Sequence, residues 1–484
     1  MLRKLSIAAL TLVATGAHAA LQISSQPTAN VSCTGGVCTA TAQDAVLNVT
    51  DLASMLAGGN VTVASASSAA DIEVDAALSF ASANGLTLDA FHSITVNQPV
   101  EITGTRAALT ITTNDGGSEG DFRFLGKGRV RMWDTKDKLV INGASYVLVK
   151  NLKQLMRKEA GAAVNVALAQ SSDLGKQAFA APPLATVDGT LEGLGNSFGH
   201  FTINVTSGPA GFIGALNPTG TVRDLILTSA SVTTSAAGQD AGALVAANQG
   251  TIINCFAGGA VTATGTEEQS FIGGLVGMSS GSIQNSGADV TASSQSFDIV
   301  GGLVGMNFPR SSLNSPVVFQ SYATGSVSEP ADNGAAGGLI GNNNGGVTFG
   351  SYARGAVTGG SGKTTYIGGL IGFETVDPSN GRGPILNTSY STGAVGGGAK
   401  AVIGGMLGID IQGFSNIDDY WDLGTSGIGK TSQGAGNPSN DPGLTGLSTR
   451  TFRSALPDGF DPTIWGQDKK INDGYPYLLD NPPR

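Results

Sequence analysis

The sequence predicts an all-β protein built as a right-handed parallel β-helix, and three observations point there. The segment AAGGLIGNNNGGVTFGSYARGAV, from Ala335 to Val357, is rewritten with small changes upstream from Val300 and downstream from Ile367. Gly accounts for 72 of 484 residues, roughly twice the usual share, while aromatic residues are 6% and charged residues 13%. The apolar runs are short, β-branched and bounded by Gly, Asn, Ser and Thr, which is strand and turn punctuation rather than a 3.6-residue helical period. A chain with so little aromatic bulk packs a core by repetition, in thin layers that each bury a little Val, Ile and Leu.

The N-terminus MLRKLSIAALTLVATGAHA has a basic start at Arg3 and Lys4, an apolar run from Leu5 to Val13 and the small-x-small site Ala17-His18-Ala19. That is the pattern of a secretory leader over residues 1–20, so the protein is expected to be exported, secreted or held at a cell surface. No later run reaches the length of a membrane-spanning helix, and no transmembrane segment is expected after cleavage. From 21 to 170 the chain reads as further strands, with alternation in DIEVDAALSF, LTLDAFHSITV, ALTITT and RVRMW. Its end, VLVKNLKQLMRKEAGAAVNVALAQ over 147–170, is the best helical candidate, with Leu152, Leu155 and Met156 at helical spacing. A short helix there would cover an edge or a junction.

Residues 171–415 hold the repeats. A glycine-flanked apolar tetrad has its central residue at Phe212, Leu244, Leu275, Leu303, Leu339, Leu370 and Met406, spaced by 32, 31, 28, 36, 31 and 36 residues. After most tetrads a polar loop leads to a second strand: NCFAGGAV, NSGADV, QSYATGSV, GSYARGAV and TSYSTGAV. Tyr322, Tyr352 and Tyr390 occupy equivalent places there and would form a ladder if coils stack in register. Helical repeats would hold little glycine, and a propeller blade needs about 40 residues and four strands with aromatic signatures. A parallel β-helix needs two or three short strands per coil, each about 4.8 Å from its equivalent. The flanking glycines then serve corners, through positive φ or close backbone approach. The tail from 416 to 484 carries Tyr420, Trp421, Phe452, Phe460, Trp465, Tyr475 and Tyr477, and is expected to cap an otherwise open strand edge.

The tetrads resemble the GLUG motif repeat. Gly274-Leu275-Val276-Gly277, Gly302-Leu303-Val304-Gly305, Gly338-Leu339-Ile340-Gly341 and Gly369-Leu370-Ile371-Gly372 match it fully. Gly242-Ala243-Leu244-Val245-Ala246 loses the closing glycine, Gly405-Met406-Leu407-Gly408 replaces the leucine, and Gly211-Phe212-Ile213-Gly214 is a divergent first copy. With LTLDAFHSITVNQPVEITG, DGTLEGLGNSFGHFTI and the aromatic tail, the chain looks like bacterial surface proteins described as adhesins of filamentous-haemagglutinin type. The resemblance implies an exported β-solenoid and supplies no catalytic residue.

The net charge of −10 argues against nucleic acid. Cys33 and Cys38 enclose only TGGV, a local disulfide, which leaves Cys255 in a small buried apolar role. The sequons at Asn30, Asn48, Asn60, Asn204 and Asn387 are expected by chance in such a composition. His92 and His200 sit in separate strand-like segments, and no HExxH, CxxC or GxSxG accompanies them. Asp71, Glu73 and Asp75 alternate on one strand face, an oxygen set for calcium or simply a solvated face. NDGGSEGDFRF, from Asn114, matches a glycine-rich calcium turn poorly, because Glu119 stands at the third glycine. Asp418, Asp419 and Asp422 flank Trp421 and could serve glycoside hydrolysis if two carboxylates faced one bond; the alternative is a polar turn in the cap. Arg123, Lys127, Arg129, Arg131, Lys136 and Lys138 form a basic patch suited to a polyanion or to a charged outer face. No catalytic residue, cofactor or metal is assigned. The sequence is therefore read as a non-catalytic adhesin or presentation scaffold, with an extracellular glycan or a host or cell-surface protein as partner. A polysaccharide-active enzyme on a β-helix and a self-associating layer component are the alternatives.

Overall fold

The computed structural model describes residues 19–159, 163–265, 268–310, 315–410 and 416–484. All but the last two residues of the leader expected over 1–20, and loop residues 311–314, lie outside the described residues. Two hairpins aside, the long sheets consist of strands stacked in parallel, in-register ladders from coil to coil, so the fold is an all-β solenoid. No helix among the described residues is long and apolar enough to cross a membrane.

Residues 20–141 wind through three sheets. The first holds Ala20–Ser24, Asp71–Val74, Ile94–Val96 and Phe122–Phe124. The second holds Leu78–Phe80, Pro99–Ile102 and Arg129–Met132, and the third Val61–Ala64, Gly85–Asp89, Ala108–Thr112 and Lys138–Ile141. Because side chains alternate along a strand, Ile72 and Val74, Leu86 and Leu88, and Leu109 and Ile111 all face inward and are buried. Sequence reasoning read this section as strands throughout, but α1 (Val49–Gly58) interrupts it. The Asn48 side chain accepts from the Thr50 and Asp51 amides to start that helix, and Leu52 and Leu56 bury its inner face. It packs against Leu78–Phe80 at the end of the second sheet, where that sheet's next strand would otherwise stand. Near the same end, Cys33 and Cys38 face each other across a hairpin and are joined by a disulfide.

Asn142 and Gly143, both at positive φ, turn the chain into Ala144–Val149, which pairs antiparallel with Lys138–Ile141. Here the core changes faces of a single continuous sheet. Tyr146, Leu148 and Ala167 pack with the first section's core, while Val149, Val166 and Leu168 on the opposite face belong to the second section's core. The helix expected over 147–170 is correspondingly shorter: α2 (Leu152–Glu159) lies between Ala144–Val149 and Val166–Leu168. The β-branched residues Val147, Val149 and Val166 favour the pleated surface on either side. Leu152 and Leu155 are buried as expected, but Met156 is exposed.

From there each coil uses four strand positions. In one coil these are Ala335–Gly337, Ile340–Asn344, Val347–Phe349 and Tyr352–Ala353, the last resumed at Val357–Gly359. Phe212, Leu244, Leu275, Leu303, Leu339, Leu370 and Met406 are all fully buried in one cluster. The tetrad glycines serve close approach, not positive φ. A Cβ on Gly274, Gly302, Gly338 or Gly369 would overlap the carbonyl oxygen of the equivalent glycine one coil on. The positive-φ corner lies elsewhere, just before the tyrosine strand, at Asp224, Asn254, Asn285, Gln320, Gly350, Thr388 and Asp418. The next residue in each coil makes a buried ladder: the Cys255, Ser286, Ser321 and Ser351 amides donate to Ser286, Ser321, Ser351 and Ser389 Oγ at 3.1–3.2 Å. The Ser389 amide ends it on Asp419 Oδ1 at 2.8 Å.

The solenoid also runs further than the repeats suggested. Asp419–Asp422 pairs with Tyr390–Ser391, Leu444–Leu447 pairs with Asp419–Asp422, and Ala435–Asn437 extends another sheet. The segment set aside as a cap over 416–484 thus begins with one more coil, and only 448–484 leaves the ladder.

Candidate functional site

Because Tyr322, Tyr352, Tyr390 and Tyr420 are in register, their outward side chains form one column. Tyr322 and Tyr352 stack with centroids 5.2 Å apart, and Tyr352 and Tyr390 at 5.0 Å with rings nearly parallel. Residues 448–484 fold back along this flank instead of closing the end, and bury the column beneath Phe452, Phe460, Trp465, Tyr475 and Leu478. Polar contacts fix the strap: Asn472 Nδ2 donates to Tyr390 Oη at 2.8 Å, Tyr475 Oη donates to Asp422 Oδ2 at 2.7 Å, and Arg354 Nη2 pairs with Asp473 at 2.8 Å. Further along, Asn481 Nδ2 donates to Ser286 O and Gln320 O, and Asp480 pairs with Arg123 of the first section. The rings of the column pack on each other and on the rings of the strap.

The carboxylates proposed for hydrolysis do not converge. Asp419 is buried and accepts from the Ser389 and Ile417 amides; burial holds its carboxyl well above the usual range. Asp422 accepts from the Gly424 and Thr425 amides, Thr449 Oγ1 and Tyr475 Oη, so both oxygens serve the strap. Asp418 occupies the positive-φ corner and faces Gly459. These are corner and clamp residues. Sequence reasoning missed a different group: Glu374 and Asp410 follow Asn307 and Asn343 at the same strand position, and Asp410 lies against Asp441. Burial pushes Glu374 well above the carboxylate range and Asp410 up to about 7, the neighbouring carboxylates adding to both. A stacked polar column was invisible because its residue changes type from coil to coil.

The remaining candidates are mostly engaged. Asp71 accepts from the Ser93 amide and contacts His92 Nδ1 at 2.7 Å, and Asp75 accepts from Asn97 Nδ2; Glu73 is raised by burial and by these two neighbours. Among the described residues no group of three or more acidic, His or Cys side chains is arranged to hold a metal ion. In the Asn114 loop, Asn114 Oδ1 accepts from the Gly120 amide, while Asp121 pairs with Arg223 at 3.0 Å. Arg223 reaches from the second section into the first, between buried Glu192 and Asp224 at 3.2 and 2.9 Å, and ties the two together. Burial still holds Glu192 well above its ordinary range and Asp224 up to about 6. The basic patch is partly neutralised: Arg129 and Arg131 lie near Glu101, and Arg123 pairs with Asp480. His200 is exposed beside Asp173, Cys255 is buried, and the sequon residues Asn48 and Asn60 bond to neighbouring backbone.

A cavity of about 330 Å³ lies where the strap's last residues meet both sections, between Arg123 and Gly126 of the first and Asn254, Phe256 and Asn285 of the second. Asn254 and Asn285 are successive positive-φ corners. Their Oδ1 atoms, and Nε of Arg123, are buried without a hydrogen-bond partner.

No protein-family model matches the chain, and no curated protein matches it. Among solved structures it is similar to a candidate immunoglobulin A1 protease from Bacteroides ovatus, at 14% identity and a TM-score of 0.40 over 69% of this chain and 93% of that one. A likeness at that level transfers no function.

Proposed function

We propose that this is an exported, non-catalytic β-solenoid that presents an extended surface outside the cell, as an adhesin or presentation scaffold. The observation that carries the reading is where the side-chain chemistry goes: the serine corner ladder, Asp419 and Asp422 all bond to backbone or strap and hold a rod together. The leader pattern and the likeness of the tetrads to GLUG repeats support it. Variable chemistry is left to loops such as ETVDPSNGRGP, where Asp377 Oδ1 accepts from the Ser379 amide and Val376 is exposed.

One observation favours the competing enzyme reading. Glu374, Asp410 and Asp441 bring carboxyl groups together at one end of a buried polar column, and an acid held near neutrality is the kind that hydrolysis uses. The test is a screen of the mature protein, residues 21–484, against immobilised glycans and matrix proteins, with reducing sugar and unsaturated product assayed on every glycan. Saturable binding without product supports the scaffold reading. Product formation lost in D410N or D441N overturns it.

A further inference from the structure

We propose that the outer face around Trp133 docks an acidic polysaccharide, the indole taking a sugar ring and the cations beside it taking that sugar's carboxylate or sulfate. Residues 123–158 hold ten of the chain's 26 Lys and Arg but only two of its 36 Asp and Glu. The rest of the chain is strongly acidic, so this stretch is where a polyanion meets attraction. At physiological salt a surface charge is screened within about 8 Å, and the acidic surface elsewhere does not cancel it.

The strand Arg129–Met132 sorts the groups. Val130 and Met132 are buried, while the Arg129 and Arg131 side chains face outward and are 40% and 37% exposed. The Trp133 amide still donates to Ile102 O, which carries the alternation one residue past the strand and sets Trp133 on the same face. The Arg131 guanidinium lies over the Trp133 ring, 4.8 Å from its centre. Lys150, just past the next strand, donates from Nζ to Trp133 O. Three carboxylates lie close in the chain or across the sheet. Glu101 faces Arg129 and Arg131 at 3.7 and 3.8 Å, longer than hydrogen bonds. Asp137 is buried and accepts from the Ala107 amide, and Asp134 accepts from the Lys136 amide. One carboxylate shared loosely between two guanidinium groups leaves donors over for a ligand.

The indole supplies the ring-binding half. Of the three tryptophans, Trp421 and Trp465 are buried, whereas Trp133 is 49% exposed even with Arg131 over it. An exposed indole between cations suits a ligand with both an apolar ring face and a negative charge, and an acidic sugar has both. A phosphatidylglycerol headgroup offers the charge without the ring, and duplex nucleic acid keeps its rings stacked inside.

The proposal deepens the adhesin reading and rests on it for the source of the glycan. Its test titrates the full mature chain with sodium polygalacturonate and with heparin by calorimetry at about 0.15 M salt. Dextran, duplex DNA and phosphatidylglycerol vesicles are the comparison probes. The variants are W133A, R129Q/R131Q and K469A/K470A, the last removing two exposed lysines of the strap. At least one acidic glycan is expected to bind saturably. W133A and R129Q/R131Q should each weaken it by about tenfold or more at an unchanged melting temperature, and K469A/K470A should bind like the parent. If W133A lowers the melting temperature, the arginine variant carries the test. The site is overturned if neither acidic glycan binds, if dextran, DNA or vesicles bind as tightly, if a folded W133A binds like the parent, or if K469A/K470A loses as much as R129Q/R131Q. Binding of a neutral glycan or matrix protein that W133A leaves unchanged, with no acidic glycan bound, removes this site and leaves the adhesin reading standing. Product formed from a bound acidic glycan and lost in D410N removes the adhesin reading and leaves the site.

Discussion

The two solenoid sections solve one problem with different means. In the first, three sheets enclose ordinary bulk, with Phe80, Leu109, Phe122 and Met132 all buried in its core. In the second, glycine lets neighbouring coils approach closely, the interior between the first coil's Phe198, Phe201 and Phe212 and the last coil's Trp421 is filled mainly by Leu, Val, Ile and Ala, and the tyrosines stand outside. A core built of small residues thus frees its aromatics for the flank, where a strap can grip several coils at once. Among the described residues the first section has no such cover along its flank, meeting the strap's end through Arg123 and Asp480, and it relies on its filled core and on α1.

Removing the strap should separate the sections most clearly. Deletion of 448–484 uncovers Tyr322, Tyr352 and Tyr390, and the calorimetric transition of the second section is expected to fall by on the order of 10 °C while that of the first barely moves. Equal shifts in both would mean that the sections melt as one unit.

Opposite changes of side-chain volume should then both destabilise, one in each section. Leu109→Ala in the first section removes bulk and is expected to cost about 2–5 kcal/mol. In the second, Gly338→Ala adds one carbon against the Gly369 carbonyl and is expected to cost about 1–3 kcal/mol. Denaturant titration of both variants checks this, and a silent Gly338→Ala would remove the close-approach explanation of the tetrad.

The sections should also differ in pH response. Burial raises Glu329 to about 8, and Asp240 and Asp410 to about 7, all in the second section. Their folded pKa values exceed the unfolded ones, so the stability they contribute is present below the unfolded range and lost as pH rises through the folded values. The second transition is therefore expected to fall between pH 5 and pH 8, and E329Q to flatten that slope. A rising transition over the same interval would contradict the assignment. The smallest effect is expected from Ser351→Ala, which removes one rung of the corner ladder at a cost of about 1 kcal/mol, measurable by the same titration.

The repeats were legible because their glycines and tyrosines recur in unchanged order, and the stacked column follows from that periodicity; the coil has four strand positions where two or three were expected, because the two- and three-residue strands such as Ala335–Gly337 and Tyr352–Ala353 are too short to show a period of their own. α1 was not, since VTDLASMLAG is short and lies among strands. The helix over 147–170 was drawn too long because apolar spacing around Leu152 carried past valines that belong to strands. The positive-φ corner escaped notice because Asp, Asn, Gln, Gly and Thr all occupy it. No local pattern could tell a cap over the end from a strap along the flank, since that depends on contacts such as Tyr390 with Asn472 that are distant in sequence. The cavity was hidden for the same reason.

The central structural claim is that the strap locks the tyrosine column, and amide hydrogen exchange tests it most directly in the parent and in W465A, which removes a ring packed on Tyr352 and Tyr390. Faster exchange confined to the amides around Tyr352, Tyr390 and residues 448–484, with the first section unchanged, is the expected result. Unchanged protection along the column, or a loss spread evenly over both sections, would contradict it.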